Sequence, residues 1–104
     1  MPEMGVGLDI ISAISDGRKV VAAAGTAETL VAASTSCRFV ILTALSTNTG
    51  IVAVGGSTVV AAAATRRGAA LSAGDSVGIP IDDLIKIYLD AVVSGEGVSY
   101  MFLS

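Results

Sequence analysis

Hydrophobic residues occur in short runs separated by turn-forming residues, and the run at residues 38–45 is apolar on both of its alternating faces. Such a strand is typical of the middle of a packed sheet. A second run, residues 51–54, follows the polar segment 46–50, in which Asn48 and Gly50 tolerate a positive φ angle. The pattern therefore predicts a central hairpin over residues 37–57, with Gly50 in its turn.

Alternation is clearest in the last third of the chain. Val77, Ile79 and Ile81 alternate with Gly78 and Pro80, and this pattern predicts an edge strand because proline cannot donate a hydrogen bond to a neighbouring strand. Residues 84–93 predict a further strand, with Ile85, Ile87, Leu89, Ala91 and Val93 on one face and Lys86, Tyr88 and Asp90 on the other. About seven to nine short strands, with turn signals every eight to twelve residues or so, predict an all-β fold, an antiparallel β-sandwich of the jelly-roll-like kind.

Residues 1–16 have a different pattern. Their large apolar residues lack a period of two and precede the turn signal Asp16-Gly17; they are Leu8, Ile10, Ile11 and Ile14. We interpret residues 1–16 as an N-terminal arm that becomes ordered against a partner, and residues 17–104 as the β-sandwich domain. The alternative is a frayed terminus.

Composition supports self-association or a larger partner. The chain has 104 residues, enough for one domain, and 53% of them are apolar, but many are alanine or valine. Small side chains bury little area, so the core is thin and the remaining apolar surface favours cover by another protein. The longest unbroken apolar run, residues 59–64, is far shorter than the roughly twenty residues of a membrane span. We therefore expect no membrane partner.

Charge disfavours nucleic acid as a partner. The net charge is −3, and the basic residues form only two pairs, Arg18-Lys19 and Arg66-Arg67, neither beside an aromatic residue. Arg66 and Arg67 read as an exposed loop tip. Together with the four apolar residues of the arm they are the candidate partner-binding residues.

Catalytic chemistry has few candidates. The chain contains no histidine, which removes histidine-based nucleophilic and acid–base schemes, and no phosphate-binding glycine motif. Cys37 stands alone and is predicted to be a small buried hydrophobe. Asp82-Asp83 could contribute to a calcium site, but adjacent acids alone supply too few oxygens, so capping of turn amides is the preferred interpretation for them and for Asp75. We expect no catalytic, cofactor-binding or metal-binding residues and no enzymatic activity.

The order of several segments resembles small virion proteins of tailed bacteriophages. The segments are AGTAETL at residues 24–30, NTGIVAVG at 48–55, LSAGDS at 71–76, DLIKIY at 83–88 and GEGVSY at 95–100. The resemblance covers residues 17–104 and rests on the order and position of the turn residues between the predicted strands. It implies a β-sandwich structural protein without catalytic residues, either on the capsid exterior or in the tail.

The function expected from this resemblance is that of a decoration or cement protein on the outer surface of a phage head, made in the host cytoplasm. Its expected partners are the major capsid protein or another virion protein, and further copies of itself, with a trimer favoured. The alternative is a receptor- or carbohydrate-binding module associated with a phage tail or fibre.

Overall fold

The structure, a computed structural model that describes residues 11–104, is a sandwich of two four-stranded antiparallel sheets. The strands of the described residues are β1 (Ile14–Val20), β2 (Glu28–Thr29), β3 (Phe39–Ala44), β4 (Val52–Gly55), β5 (Ala69–Leu71), β6 (Ser76–Pro80), β7 (Tyr88–Ala91) and β8 (Gly97–Leu103). One sheet has the order β1-β8-β3-β6 and the other β2-β7-β4-β5. The predicted all-β sandwich is confirmed.

The strand pairs are nested along the chain. The first strand pairs with the last, the second with the seventh, the third with the sixth and the fourth with the fifth. This nesting, with most connections crossing between the sheets, is the jelly-roll arrangement.

The prediction of a central hairpin over residues 37–57 is wrong. β3 does lie inside its sheet, between β8 and β6, but β4 belongs to the opposite sheet. Residues 45–51 cross from one sheet to the other because hydrogen bonds hold them at the start of β8. The side-chain Nδ2 of Asn48 donates to the Gly97 carbonyl at 2.9 Å, and the Glu96 carboxylate accepts hydrogen bonds from the backbone N–H groups of Thr49 and Gly50. Gly50 accordingly does not have a positive φ angle.

The boundary predicted at residue 16 is also displaced. Asp16 and Gly17 do not form a turn but lie within β1, which pairs with β8 from Ile14 opposite Leu103 to Val20 opposite Gly97. The ring of Tyr100 lies where a Cβ of Gly17 would be, so the glycine accommodates a cross-strand aromatic side chain. Leu8 and Ile10 of the predicted arm lie outside the described residues.

Residues 84–93 form two elements instead of one strand. A 3₁₀ turn, Leu84–Lys86, is capped by the Asp83 carboxylate, which accepts from the Ile85 amide at 3.0 Å, and β7 follows. Ile87, Leu89 and Ala91 are buried, as the alternation predicts. Pro80 lies on the edge strand β6, which confirms the position inferred from its missing donor.

The core between the sheets is aliphatic. Its largest fully buried apolar side chains are Leu42, Leu84 and Leu89, and Cys37 lies in the same cluster at 7% exposure, as predicted. A second, smaller cluster of Ala53, Val59 and Ala61 lies outside the β2-β7-β4-β5 sheet, where residues 21–27 and 56–68 fold over it. We call this sheet the covered sheet, and β1-β8-β3-β6 the open sheet.

Replacing Gly97 by alanine tests the corrected pairing of β1. A Cβ at Gly97 would overlap the backbone carbonyl of Lys19 and approach the Cα of Val20 to 2.7 Å, and backbone atoms cannot rotate away. We expect Gly97→Ala to lower the free energy of unfolding by about 1–3 kcal/mol.

The measurement is urea denaturation, with Gly56→Ala as the matched control. Gly56 has no atom within 4 Å of an added Cβ, so that variant should stay within about 0.5 kcal/mol of the parent chain. Equal stability of the two variants would contradict the placement of β1 against β8.

Candidate partner-binding surface

The outer face of the open sheet is divided into an apolar and a polar end. Strand register aligns three rows across β1, β8, β3 and β6: Ile14, Leu103, Phe39 and Pro80; then Asp16, Met101, Ile41 and Gly78; then Arg18, Ser99, Thr43 and Ser76. We call this surface the open face. Ile14 is 69% exposed and Met101 39% exposed. Apart from Asp16 at the β1 edge, the first two rows therefore form a contiguous apolar patch of the kind that marks interaction sites.

Alternation along each strand produces this surface. Val98, Tyr100 and Phe102 of β8 point toward the core, so Ser99, Met101 and Leu103 point outward. The Phe39 ring reaches over Gly78: its Cζ lies 2.7 Å from the place where a Cβ of Gly78 would be. At the polar end, the hydroxyl groups of Thr43 and Ser76 are 2.7 Å apart.

The structure describes four of the six predicted partner-binding residues and places them in two regions. Ile14 is at the apolar end of the open face, and Ile11, 44% exposed, precedes β1. Arg66 and Arg67 are exposed on residues 56–68 beside the covered sheet, where the Arg66 side chain donates to the Ala61 carbonyl at 3.0 Å. Arg66 and Arg67 therefore do not share one surface with Ile11 and Ile14.

Asp90 is a residue whose role the sequence did not reveal. It lies on the outer side of β7, as the alternation predicts, yet it is only 1% exposed. Its two carboxylate oxygens accept from the amides of Gly25 and Ala61, each at 2.8 Å. Since these two residues belong to the two segments that fold over the covered sheet, the buried carboxylate holds both segments in place.

Glu96 performs a similar role at the crossing between the sheets. Its carboxylate accepts from the Thr49 amide at 2.7 Å, the Thr49 hydroxyl at 2.9 Å and the Gly50 amide at 2.9 Å. The hydrogen bonds from the backbone of Thr49 and Gly50 hold the pKa of Glu96 below its usual value. The carboxylate of Glu28 likewise accepts from Ala22 and Ala23, and it pairs with the Lys19 amine at 2.9 Å.

The three acids singled out in the sequence do not meet in one cleft. Asp75 precedes β6 and accepts from the Ser72 amide, whereas Asp82 and Asp83 follow β6, a separation of roughly 17 Å along five residues of strand. Asp83 accepts from Ser34, Thr35 and Ile85, and Asp82 pairs with Lys86 at 2.8 Å. The contacts of Asp75 and Asp83 are those of turn and loop capping, as predicted, whereas the Asp82 carboxylate forms an exposed ion pair instead. Within residues 11–104, no group of three His, Cys, Asp or Glu side chains could hold a metal ion.

The surface depressions of the described chain offer little to a small ligand. A depression of about 370 Å³ is lined by Ser36, Cys37, Arg38, Asp82 and Ser104, and no aromatic ring lines it or the depressions beside Gly50 and Gly25. Tyr88 packs on the small cluster of the covered sheet, and Tyr100 and Phe102 pack against the core. In the described part of the chain no helix has the length and apolar character needed to cross a membrane.

Comparison of the chain with protein-family models, with curated proteins and with solved structures gave no match.

Replacing Asp90 by asparagine should destabilise the fold. The amide side chain presents one oxygen and one NH₂ group, so one of the Gly25 and Ala61 amides loses its acceptor inside the protein. We expect the free energy of unfolding to fall by about 1–3 kcal/mol in urea denaturation. Asp82→Asn, which removes an exposed pairing with Lys86, is the control and should change the free energy of unfolding much less than Asp90→Asn does. A similar, small effect of both substitutions would contradict the role of Asp90 in holding the two segments over the covered sheet.

Acidification should reveal the contribution of Glu96. Because its pKa is lower in the folded than in the unfolded chain, the unfolded chain binds more protons as the pH falls below the ordinary value of 4.5. The stabilisation is therefore present above pH 4.5 and is lost as the pH drops through the folded-state pKa. Unfolding experiments from pH 7 to pH 3 should show a shallower loss of stability for Glu96→Gln than for the parent chain. If the free energy of unfolding fell equally steeply with pH in both chains, the hydrogen bonds to Glu96 would be contradicted.

Proposed function

We propose that this protein is a non-enzymatic structural protein of a tailed-phage virion, a decoration or cement protein that binds the outside of the head and stabilises it. The observation that carries the proposal is the open face, whose apolar rows are exposed while the opposite sheet is covered by residues 21–27 and 56–68. A flat sheet surface of this kind fits a protein partner better than a small molecule.

The chemistry of the acidic residues supports a structural role. Asp90, Glu96, Glu28 and Asp83 each accept two or more hydrogen bonds from loop amides or hydroxyl groups. Carboxylates used in this way fix the loops and are not presented to a substrate. The result is a small, rigid scaffold suited to reinforcing a shell.

The fold agrees with this role without deciding it. Jelly rolls occur in viral capsid proteins, in lectins and in cupins, so the fold alone supports a virion role only by analogy. The resemblance of residues 17–104 to small virion proteins adds the context of the phage particle. The proposed partner is the major capsid protein or another virion protein, bound through the open face, and we propose that the apolar sequence preceding β1 adds to this contact.

The lectin analogy makes a tail- or fibre-associated carbohydrate-binding module the second candidate. Phe39 is the aromatic residue that the described chain places on the open face, and its ring is engaged over Gly78. A glycan array with the purified chain tests this candidate directly.

A single substitution on the open face tests the virion role. Met101→Lys places a charge in the apolar patch without touching the core, since Met101 is on the outer side of β8. We expect it to weaken binding to purified phage heads by at least about tenfold, because a charge must then be desolvated at the interface. Co-sedimentation with heads at a series of protein concentrations measures the change.

Ala64→Lys, on the exposed segment over the covered sheet, is the matched control and should bind like the parent chain. A third chain lacking residues 2–10 retains all eight described strands and should bind heads more weakly while melting at a similar temperature. Failure of the parent chain to bind heads would refute the proposed function.

A further inference from the structure

Within residues 11–104 the two sheets have four edge strands, and these differ in their capacity to pair with another strand. β2 has two residues and β5 three, and β6 has five but contains Pro80. β1 has seven residues and no proline. Long unblocked edges template the addition of a strand, and natural proteins usually shorten or interrupt them. β1 is therefore the edge best suited to association.

The hydrogen-bonding direction of β1 is fixed by its pairing with β8. Ala13 and Ser104 exchange two backbone hydrogen bonds, at 2.9 and 3.0 Å, and the Val21 amide donates to the Glu96 carbonyl at 2.9 Å. In an antiparallel ladder such pairs alternate, so the odd-numbered residues of β1 bond to β8. No described strand pairs with the other edge of β1, toward which Ile14, Asp16, Arg18 and Val20 direct their N–H and C=O groups.

The side chains of these four residues are arranged symmetrically about Gly17. Asp16 and Arg18 flank the glycine and both point to the open face, and Ile14 and Val20 lie at the two ends. Asp16 and Arg18 are exposed. The strand therefore has opposite charges at equal distances from its centre.

We infer that β1 pairs antiparallel with β1 of a second copy of this chain, across a two-fold axis at Gly17. In this register Asp16 lies opposite the partner's Arg18, and Arg18 lies opposite the partner's Asp16. Each is a hydrogen-bonded backbone pair, and the oppositely charged side chains lie on the same face. Gly17 meets its own counterpart on the axis, where the two backbones approach most closely and a glycine leaves room.

Charge selects this register over its neighbours. A shift that centres the pairing on Asp16 would oppose two carboxylates, and one that centres it on Arg18 would oppose two guanidinium groups. A shift by a single residue would place an even-numbered residue, whose N–H and C=O point to the outer edge, opposite an odd-numbered residue, whose groups are already bonded to β8. No backbone hydrogen bonds could form between them. Lys19, which could otherwise block the edge, is on the inner side and bound to Glu28 at 2.9 Å.

The pairing would join two open sheets into one continuous eight-stranded sheet with both open faces on the same side. An isologous contact of this type closes at two copies, so it gives a dimer, whereas the resemblance to virion proteins led us to expect a trimer. The inference does not depend on the proposed virion role, because it concerns the free protein.

Charge-reversal variants of the full-length chain test the pairing by sedimentation equilibrium. Asp16→Arg makes both residues of the pair basic, and Arg18→Asp makes both acidic, so each variant alone should dimerise at least about tenfold more weakly than the parent chain. An equimolar mixture of the two variants should form a heterodimer, because opposite charges again face each other. The double variant carrying both substitutions should dimerise like the parent, and added salt should weaken the parent dimer.

Arg67→Asp changes the net charge by the same amount as Arg18→Asp but lies beside the covered sheet, and it should leave the dimer unchanged. Amide hydrogen exchange of Ile14, Asp16, Arg18 and Val20 should become slower as the protein concentration rises. The inference is overturned if the parent chain is a monomer or a trimer, or if mixing the two variants restores no dimer. It is also overturned if the edge amides are already protected in dilute monomer, which would indicate that another segment of the same chain covers β1. None of these measurements uses phage particles, so their failure is separate from failure of the proposed function.

Discussion

The buried carboxylate of Asp90 determines which surface of this sandwich is free. It accepts hydrogen bonds from the backbone N–H groups of Gly25 and Ala61, and these bonds hold two separate segments over the outer side of the covered sheet. An unpaired acid in that position would carry a large desolvation cost, so the two amides and the carboxylate require one another. With those segments committed to one sheet, the other sheet keeps its outer face exposed.

This asymmetry links the fold to its proposed role. The open face has its apolar rows near Ile14 and Met101 and its polar row near Arg18 and Thr43. The same sheet ends in β1, the long edge strand with opposite charges around Gly17. One sheet therefore offers a broad surface for a large partner and an edge for a second copy, while the covered sheet supplies rigidity.

The chemistry of the described residues is consistent with binding by shape and surface. Glu96, Glu28 and Asp83 accept from backbone amides in the same way as Asp90, at sites distributed over the sandwich. Each fixes a connection between strands, and together they replace the rigidity that an aliphatic core of small residues provides only in part.

Local patterns in the sequence were sufficient for the fold class, the edge position of Pro80 and the burial of Cys37. Each depends on alternation or on the chemistry of a single residue. The crossing of residues 45–51 between the sheets was decided by tertiary structure, because Asn48 and Glu96 are 48 residues apart in sequence yet secure the same connection. Asp16-Gly17 has the local signature of a turn, but antiparallel pairing with Met101 and Tyr100 of the distant strand β8 makes it part of β1. Asp90 reads as an exposed polar residue, and its burial follows from two distant segments whose amides need its carboxylate as an acceptor.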